Sequence, residues 1–439
     1  MKIVFVENRQ KTYLYESIAD KLLKDDHEII FLIQNNGFKP SNKFKNYFIK
    51  YPNIKRQTFE VIDYVEKIIQ VDRQVNHFKA KDKNYFYYYD TEIKKFLKSI
   101  KPNIIFGEST AFHELLTLEN CKKMDIPYLN PSTCRYPVGR FSFYKYNTLN
   151  PFKGSGEILS NKKAFETVEQ IVGNKVKPNY MKMQSKPKKE ILSDRLNKIF
   201  QYTKGERFNT PNPVIKFQLE KETKKNIKSW NERAKHKIPE NSNFKILYPL
   251  QMQPEANIDV WGRRYRNQTE LIKSISALMP NDCILYVKPN PKSKYELTSE
   301  LIDIVHNTSN IKHLHHSTKM SDVLSEIDLV VTVTGTIAIE CIFNDKPIIT
   351  LTKTLNNEAD NCKYVSNLDK DLLSLINKVK DQKFPTISNQ EKIDFINKLN
   401  RTSYKGIISD PFSDMKCIAD ENINYLYTAF NDILKDYEN

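Results

Sequence analysis

Asp328–Thr350 reads DLVVTVTGTIAIECIFNDKPIIT. The apolar and β-branched run Leu329 to Thr332 leads into Thr334-Gly335-Thr336, and a stretch of helical spacing, Thr336 to Phe343, follows at once. A second apolar run, Pro347 to Leu351, closes the segment. Strand, tight turn, helix and strand make a βαβ unit, whose crossover demands a parallel sheet covered by helices. Backbone N–H groups at a helix start attract phosphate, and glycine lets it approach closely. Thr334 or Thr336 offers a hydroxyl to a phosphate oxygen or caps the helix, and Glu340 falls on the first helical turn, in reach of a ribose. An ordinary strand-to-helix turn with a threonine cap would use the same letters.

The pattern extends upstream. Phe244–Leu250 (FKILYPL) is strand-like, followed by a helix over Gln268 to Leu278, a strand over Cys283 to Val287 and a helix over Ser299 to Val305. A strand at Ile311 to Leu314 and a short helix at Ser321 to Ser325 complete the series. Loops leaving the carboxyl ends of such strands are where open α/β sheets bind ligands. Gln251, Gln253 and Glu255 emerge after the first strand, and Lys288, Asn290 and Pro291 after the second. A lysine there supplies a counter-charge for phosphate.

A second, less regular series opens the chain. Lys2 to Val6 and His27 to Ile33 read as strands around a helix over Thr12 to Lys24, and NYFYYYDTEIKKFLKSI carries Phe86, Tyr89, Ile93 and Phe96 near one helical face. A strand at Asn103 to Phe106, a helix over Ala111 to Met124 and a strand at Pro127 to Leu129 follow. Residues 149–240 are rich in Lys and Asn and weakly patterned, apart from an amphipathic segment at Pro213 to Arg233. At 439 residues the chain exceeds one core, so the expected division is an acceptor-side domain at 1–235 with helical inserts at 150–235, a nucleotide-binding domain at 236–415, and a C-terminal helix from 416 that packs back across the domains. The expected fold is α/β, with two Rossmann-like domains facing a central cleft.

Composition narrows the function classes. Lys plus Arg exceed Asp plus Glu by 69 to 53, giving a net charge of +16, which favours anionic partners. The basic residues are spread without RNA- or DNA-binding spacing, so nucleic acid is not expected and contact with an anionic membrane is. Apolar runs fall well short of ~20 residues and the start carries no signal-peptide pattern, so a cytosolic protein is expected, peripheral on the inner membrane face at most. The six cysteines lack metal spacing. His313, His315 and His316 cluster at a strand end without an acidic or thiol partner nearby, and read as edge residues. Asp369-Lys370-Asp371 opens a helix, where acidic side chains suit the dipole. No Walker loop or GxGxxG is present.

In this order, YPLQMQPEA (248–256), LYVKPNP (285–291) and MSDVLSEIDLVVTVTGTIAIECIFNDKPII (320–349) resemble the capsule polysaccharide synthesis family. GESTAFHELL (107–116), RYPVGRF (135–141) and SDPFSDMKCIADENI (409–423) extend the resemblance over most of the chain except its middle. The resemblance implies a GT-B glycosyltransferase that is metal-independent and needs no cofactor beyond its nucleotide-sugar donor. That donor would be CMP-linked Kdo or a similar acidic sugar, and the acceptor a surface glycan or glycolipid such as capsule or lipopolysaccharide. In the family a histidine commonly stands where Asn290 does; asparagine still donates a hydrogen bond but carries no charge.

The catalytic group is expected from the first half. Glu108, at a strand end, would act as base or nucleophile, with His113 on the adjoining helix. Arg135 and Arg140 would hold a sugar carboxylate or acceptor phosphate. A sugar-nucleotide 2-epimerase and a non-catalytic sugar-binding subunit of an export complex stand as alternatives on the same fold.

Overall fold

A computed structural model describes residues 1–53, 59–176, 178, 187–240 and 243–438. The chain forms two compact units: Met1–Leu159 with Lys177–Ile215 and Asn397–Asn439, and Ser160–Val176 with Lys216–Ile396.

In unit 1 the strands are β1 (Lys2–Val6), β2 (Glu28–Ile33), β3 (Lys45–Phe48), β4 (Ile104–Phe106), β5 (Tyr128–Thr133), β6 (Arg140–Lys145) and β7 (Pro151–Lys153). In unit 2 they are β8 (Phe244–Pro249), β9 (Cys283–Lys288), β10 (Ile311–His313), β11 (Leu329–Thr332), β12 (Ile348–Thr350) and β13 (Cys362–Tyr364). A last strand, β14 (Tyr404–Lys405), returns to unit 1.

The sheet of unit 2 runs β10-β9-β8-β11-β12-β13 with every pair parallel. Numbered within the unit that order is 3-2-1-4-5-6, the Rossmann arrangement, in which the strand order reverses between β8 and β11. The strands are apolar on both faces because helices cover both: Val330 and Val331, Ile348 and Ile349, and Leu285 to Val287 are all buried. The helices start where the sequence provides caps, as Asn267 accepts from Glu270 N and Thr298 from Leu301 N. Asp369 and Asp371 do open a helix, Leu368–Lys380.

Unit 1 repeats the logic over β3-β2-β1-β4-β5, all parallel, or 3-2-1-4-5. Helix Thr12–Leu22 buries Leu14, Tyr15, Ile18, Ala19 and Leu22, the spacing of one face. Beyond β5 the sheet changes direction: β6 pairs antiparallel with β5 and β7, and β14 adds antiparallel to β6. Helix Asp420–Leu434 packs into this unit, where Phe430 meets Phe5, Phe106 and Phe143 at ring-centroid distances of 6.2, 4.6 and 5.0 Å.

Unit 2 takes up the chain again at Lys216, ahead of the expected 236, because helix Pro213–Arg233 contributes Asn226 and Trp230 to its interior. Trp230 is fully buried, with Nε1–H donating to Leu314 O at 2.9 Å. Among the described residues, no helix is long and apolar enough to cross a membrane.

Candidate functional site

In unit 1 the strand order reverses between β1 and β4, so the loops after Val6 and Phe106 meet at one edge. Glu7 is fully buried there; its carboxylate accepts from the N–H groups of Arg9 (2.6 Å), Asn35 (2.8 Å) and Gln34 (3.3 Å). Burial pushes the Glu7 carboxyl up, against the opposing pull of His113 and those amides. The bond to Arg9 N holds Arg9 in the left-handed region, at φ +45°.

Next to this turn, a pocket of ≈370 Å³ is lined by Arg9, Lys11, Glu108, Asp194, Lys198 and Asp410 among others. Glu108 reaches it with its side chain 19% exposed, ion-paired to Lys11 and accepting from Asn8 Nδ2 at 3.0 Å. Tyr128 OH fixes the Glu108 carbonyl at 2.5 Å. Desolvation lowers Lys11 to about 8 and Arg9 to about 10, so both stay cations at neutral pH, Lys11 with Glu108 as its counter-ion. Arg9 donates through one guanidinium nitrogen to Asn209 O, while its Nε is buried without a partner. Lys11, Arg9 and Asn8 were not anticipated; only their position directly after an apolar strand marks them.

His113 does not line this pocket. It is 2% exposed, its Nε2 is 2.7 Å from Glu7 O, and its Nδ1 is 3.2 Å from Asn209 Nδ2. With Nε2–H donating and Nδ1 accepting, both ring nitrogens are used, and the histidine expected beside Glu108 holds the Glu7 turn. Glu114 caps its own helix, accepting from Ala111 N at 2.8 Å.

Arg140, expected to hold a sugar carboxylate or acceptor phosphate, is engaged within unit 1. Its guanidinium is buried and donates to Ser403 Oγ (2.8 Å), Ser403 O (2.8 Å), Asn400 O (3.0 Å), Ser155 Oγ (2.9 Å) and Glu157 (2.7 Å), so all three of its nitrogens are engaged. It ties β6 to the segment before β14. Arg135 is half-buried in the loop between β5 and β6.

In unit 2 the candidates gather at the carboxyl edges of β8, β9 and β11. Gln251 spans the reversal point, donating from Nε2 to Thr332 Oγ1 (3.1 Å) and Thr334 O (3.3 Å). Its backbone is in turn strapped by Gln268, whose amide accepts from Gln251 N and donates to Gln251 O, both at 2.8 Å. Gln253 is an interior brace, donating to Asp259 (2.9 Å) and Arg266 O (3.1 Å) and accepting from Gln268 Nε2 (2.9 Å). Both glutamines expected at the donor site thus have amides engaged in building the loop. Glu255 is half-buried, with its N–H donating to Asp259.

Gly335 has φ +108°, a conformation only glycine adopts freely. The helix behind it, Ile337–Phe343, is only seven residues, and neither threonine caps it: Thr336 makes no side-chain cap bond, and Thr334 Oγ1 donates to Asn257 O at 3.5 Å. Glu340 is half-buried on its first turn.

Lys288 is the exceptional group. It is 2% exposed, its Nζ has one hydrogen bond, to Pro289 O at 3.2 Å, and among the described residues no carboxylate pairs with it. Desolvation alone lowers it to about 8. Asn290, two residues on, folds into a turn, its Oδ1 accepting from Lys292 N at 2.8 Å.

His316, missed as a site residue, lies beside this lysine. Its Nε2 is buried without a partner, and burial followed by the Lys288 charge lowers its pKa. His315 stacks on His236 at 4.1 Å, whereas His313, read as an edge residue, is buried against Trp230 and His306 and held at about 4 by desolvation. Among the described residues, no group of three or more His, Cys, Asp or Glu could hold a metal.

No family model and no curated protein matches the chain. Among solved structures it is similar to the UDP-GlcNAc 2-epimerase from Methanocaldococcus jannaschii, at 16% identity over 98% of this chain and 100% of that one, with a TM-score of 0.24. It is similar to MurG of Acinetobacter baumannii at 9% identity over 98% and 100%, TM-score 0.29, and to the calicheamicin glycosyltransferase CalG4 at 11% over 99% and 98%, TM-score 0.28. Likenesses this distant carry no argument about chemistry. The fold class rests on the chain's own two sheets: an α/β protein with two Rossmann-like units.

Proposed function

We propose that the chain is a GT-B glycosyltransferase that moves a sugar from a nucleotide donor to a glycan or glycolipid acceptor. The observation that carries the reading is Lys288: a cation buried at the carboxyl edge of a Rossmann sheet, with no acid paired to it among the described residues, suits a phosphate. Unit 2 would hold the donor, with Lys288 and His316 toward its phosphates and the Gly335 turn, Asn290, Glu255 and Glu340 around it. Unit 1 would hold the acceptor in the pocket at Glu108. In transfer the bond from the anomeric carbon to the phosphate oxygen breaks and the acceptor oxygen forms the new one. The Glu108 carboxylate takes the acceptor hydroxyl proton, Lys11 and Asn8 orienting that carboxylate. The departing phosphate gains negative charge beside Lys288.

The sequence resemblance to the capsule polysaccharide synthesis family favours CMP-Kdo or a related acidic sugar as donor. On that reading CMP stabilises the protein to heat more than UDP, GDP or ADP do, since ligand at a hundred times its Kd adds about 2.7 kcal/mol. A clear preference for UDP discards the CMP assignment. Product analysis decides the class of reaction: a new glycosidic linkage supports transfer, whereas a changed sugar nucleotide with no acceptor supports epimerisation.

A further inference from the structure

Helix Lys188–Thr203 in unit 1 is amphipathic in the opposite sense to a packed helix. Its sheltered positions are mostly polar: Asp194, Asn197, Lys198 and Gln201, with Tyr202 beside them. Asp194 and Lys198 are ion-paired and both line the Glu108 pocket. Gln201 lies against Gly37, where an added Cβ would come within 2.5 Å of its amide carbon. Its Ile, Leu and Phe side chains lie outward among exposed polar residues: Ile191, Leu192, Leu196, Ile199 and Phe200 are 38%, 57%, 57%, 44% and 55% exposed. At 3.6 residues per turn these five fall within about half of the helix circumference. Water does not favour such an orientation, and a contiguous outward apolar face marks an interaction surface.

Charge selects the partner. Lys189, Arg195 and Lys204 are exposed on or beside this face, against Glu190 as the one exposed acid from 189 to 204. Lys204 Nζ lies 5.2 Å from the centre of the Phe200 ring. At an apolar protein interface these cations would be stranded. At a bilayer the rings and aliphatic chains enter the acyl boundary while the cations reach lipid phosphates, and the chain's +16 charge adds to the attraction.

We propose that this helix docks unit 1 on an anionic phospholipid surface. One helix, ~10 Å across, then separates the Glu108 pocket from the acyl boundary. If the pocket is the acceptor site, as the proposed function has it, the acceptor is a glycan anchored to lipid, presented at headgroup level.

The test uses the full chain with extruded vesicles of phosphatidylglycerol and phosphatidylcholine, or of phosphatidylcholine alone. Co-sedimentation is expected at least tenfold stronger on the anionic vesicles, weakened by salt. Leu196→Glu with Phe200→Glu, both at exposed positions, should reduce it at least tenfold without moving the thermal midpoint or the stabilisation by nucleotide. Equal binding to both vesicle types, or undiminished binding of the double variant, overturns the proposal. So does a dimer that forms in solution through this face and is broken by the same substitutions without any vesicle binding. Nucleotide stabilisation read on the same samples keeps the two readings apart: vesicle binding without it counts against the donor site alone, and the converse against the helix alone.

Discussion

Replacing Lys288 by methionine should make the ligand-free protein more stable and the liganded protein rarer. The ammonium is 2% exposed with one carbonyl partner, and its pKa is lowered to about 8 from the ordinary 10.5. At ~1.4 kcal/mol per pH unit, that displacement is a folding penalty of about 3 kcal/mol. The penalty is fully present below pH 8, where folded and unfolded chains both hold the proton. It is relieved as pH rises from 8 to 10.5, because the folded chain sheds a proton the unfolded chain keeps. Methionine fills the same space without charge, and leaving Pro289 O without its donor returns about 1 kcal/mol. The predicted net gain is about 2 kcal/mol at pH 7, vanishing toward pH 10. Both tryptophans, Trp230 and Trp261, lie in unit 2, so urea unfolding followed by tryptophan fluorescence reports the unit that carries the change. Nucleotide affinity by calorimetry should fall roughly ten- to a hundredfold, as for loss of a charge-assisted bond. A destabilised Lys288→Met with unchanged affinity would refute the reasoning and make the lysine a structural strut.

Glu108→Gln is predicted to reduce turnover ~100- to 10,000-fold with nucleotide affinity kept, since it removes the base but not the shape; near-normal product formation eliminates Glu108 from the chemistry. Gly335→Val forces a branched residue to φ +108° and sets its Cβ 3.4 Å from the Gln251 amide, which braces that turn. It should cost ~1–3 kcal/mol and weaken nucleotide binding severely, and a folded variant with unaltered affinity moves the donor elsewhere.

The parallel strands and their helices were legible because each announces itself locally: Leu329–Thr332 and Gln268–Leu278 end where the apolar pattern and the capping residues say they end. What was not legible depends on residues far apart in the chain. Arg140 looks like an exposed loop cation in RYPVGRF until Asn400 and Ser403 arrive some 260 residues later to occupy it. The pairing of Tyr404 with Phe141 leaves no periodic trace in two residues of strand. Gln251 and Gln253 sit where ligand-binding side chains belong, and only the fold reveals that the Gln251 amide meets Thr332 and Thr334 and the Gln253 amide meets Gln268 and Asp259. Lys288 was found by its position after a strand, but its burial, which gives it its chemistry, is visible only in the folded unit, where β9 lies between β8 and β10. The Lys11–Glu108 pair spans 97 residues and exists only because β1 and β4 are neighbours.

The return of the chain to unit 1 has a consequence for the order in which the protein matures on the ribosome. Unit 2 is complete in sequence by Ile396, whereas unit 1, whose strands emerge first, still lacks β14 and the helix that seats Phe430 against Phe5 and Phe106. At ~5–20 residues per second of synthesis, β1 and β4 wait for tens of seconds with one face of their aromatic core uncovered. The later-made unit is thus the first able to close. The earlier one spends translation as an open apolar sheet, the stage at which a holdase, or a slower ribosome, would matter most to the yield of folded protein.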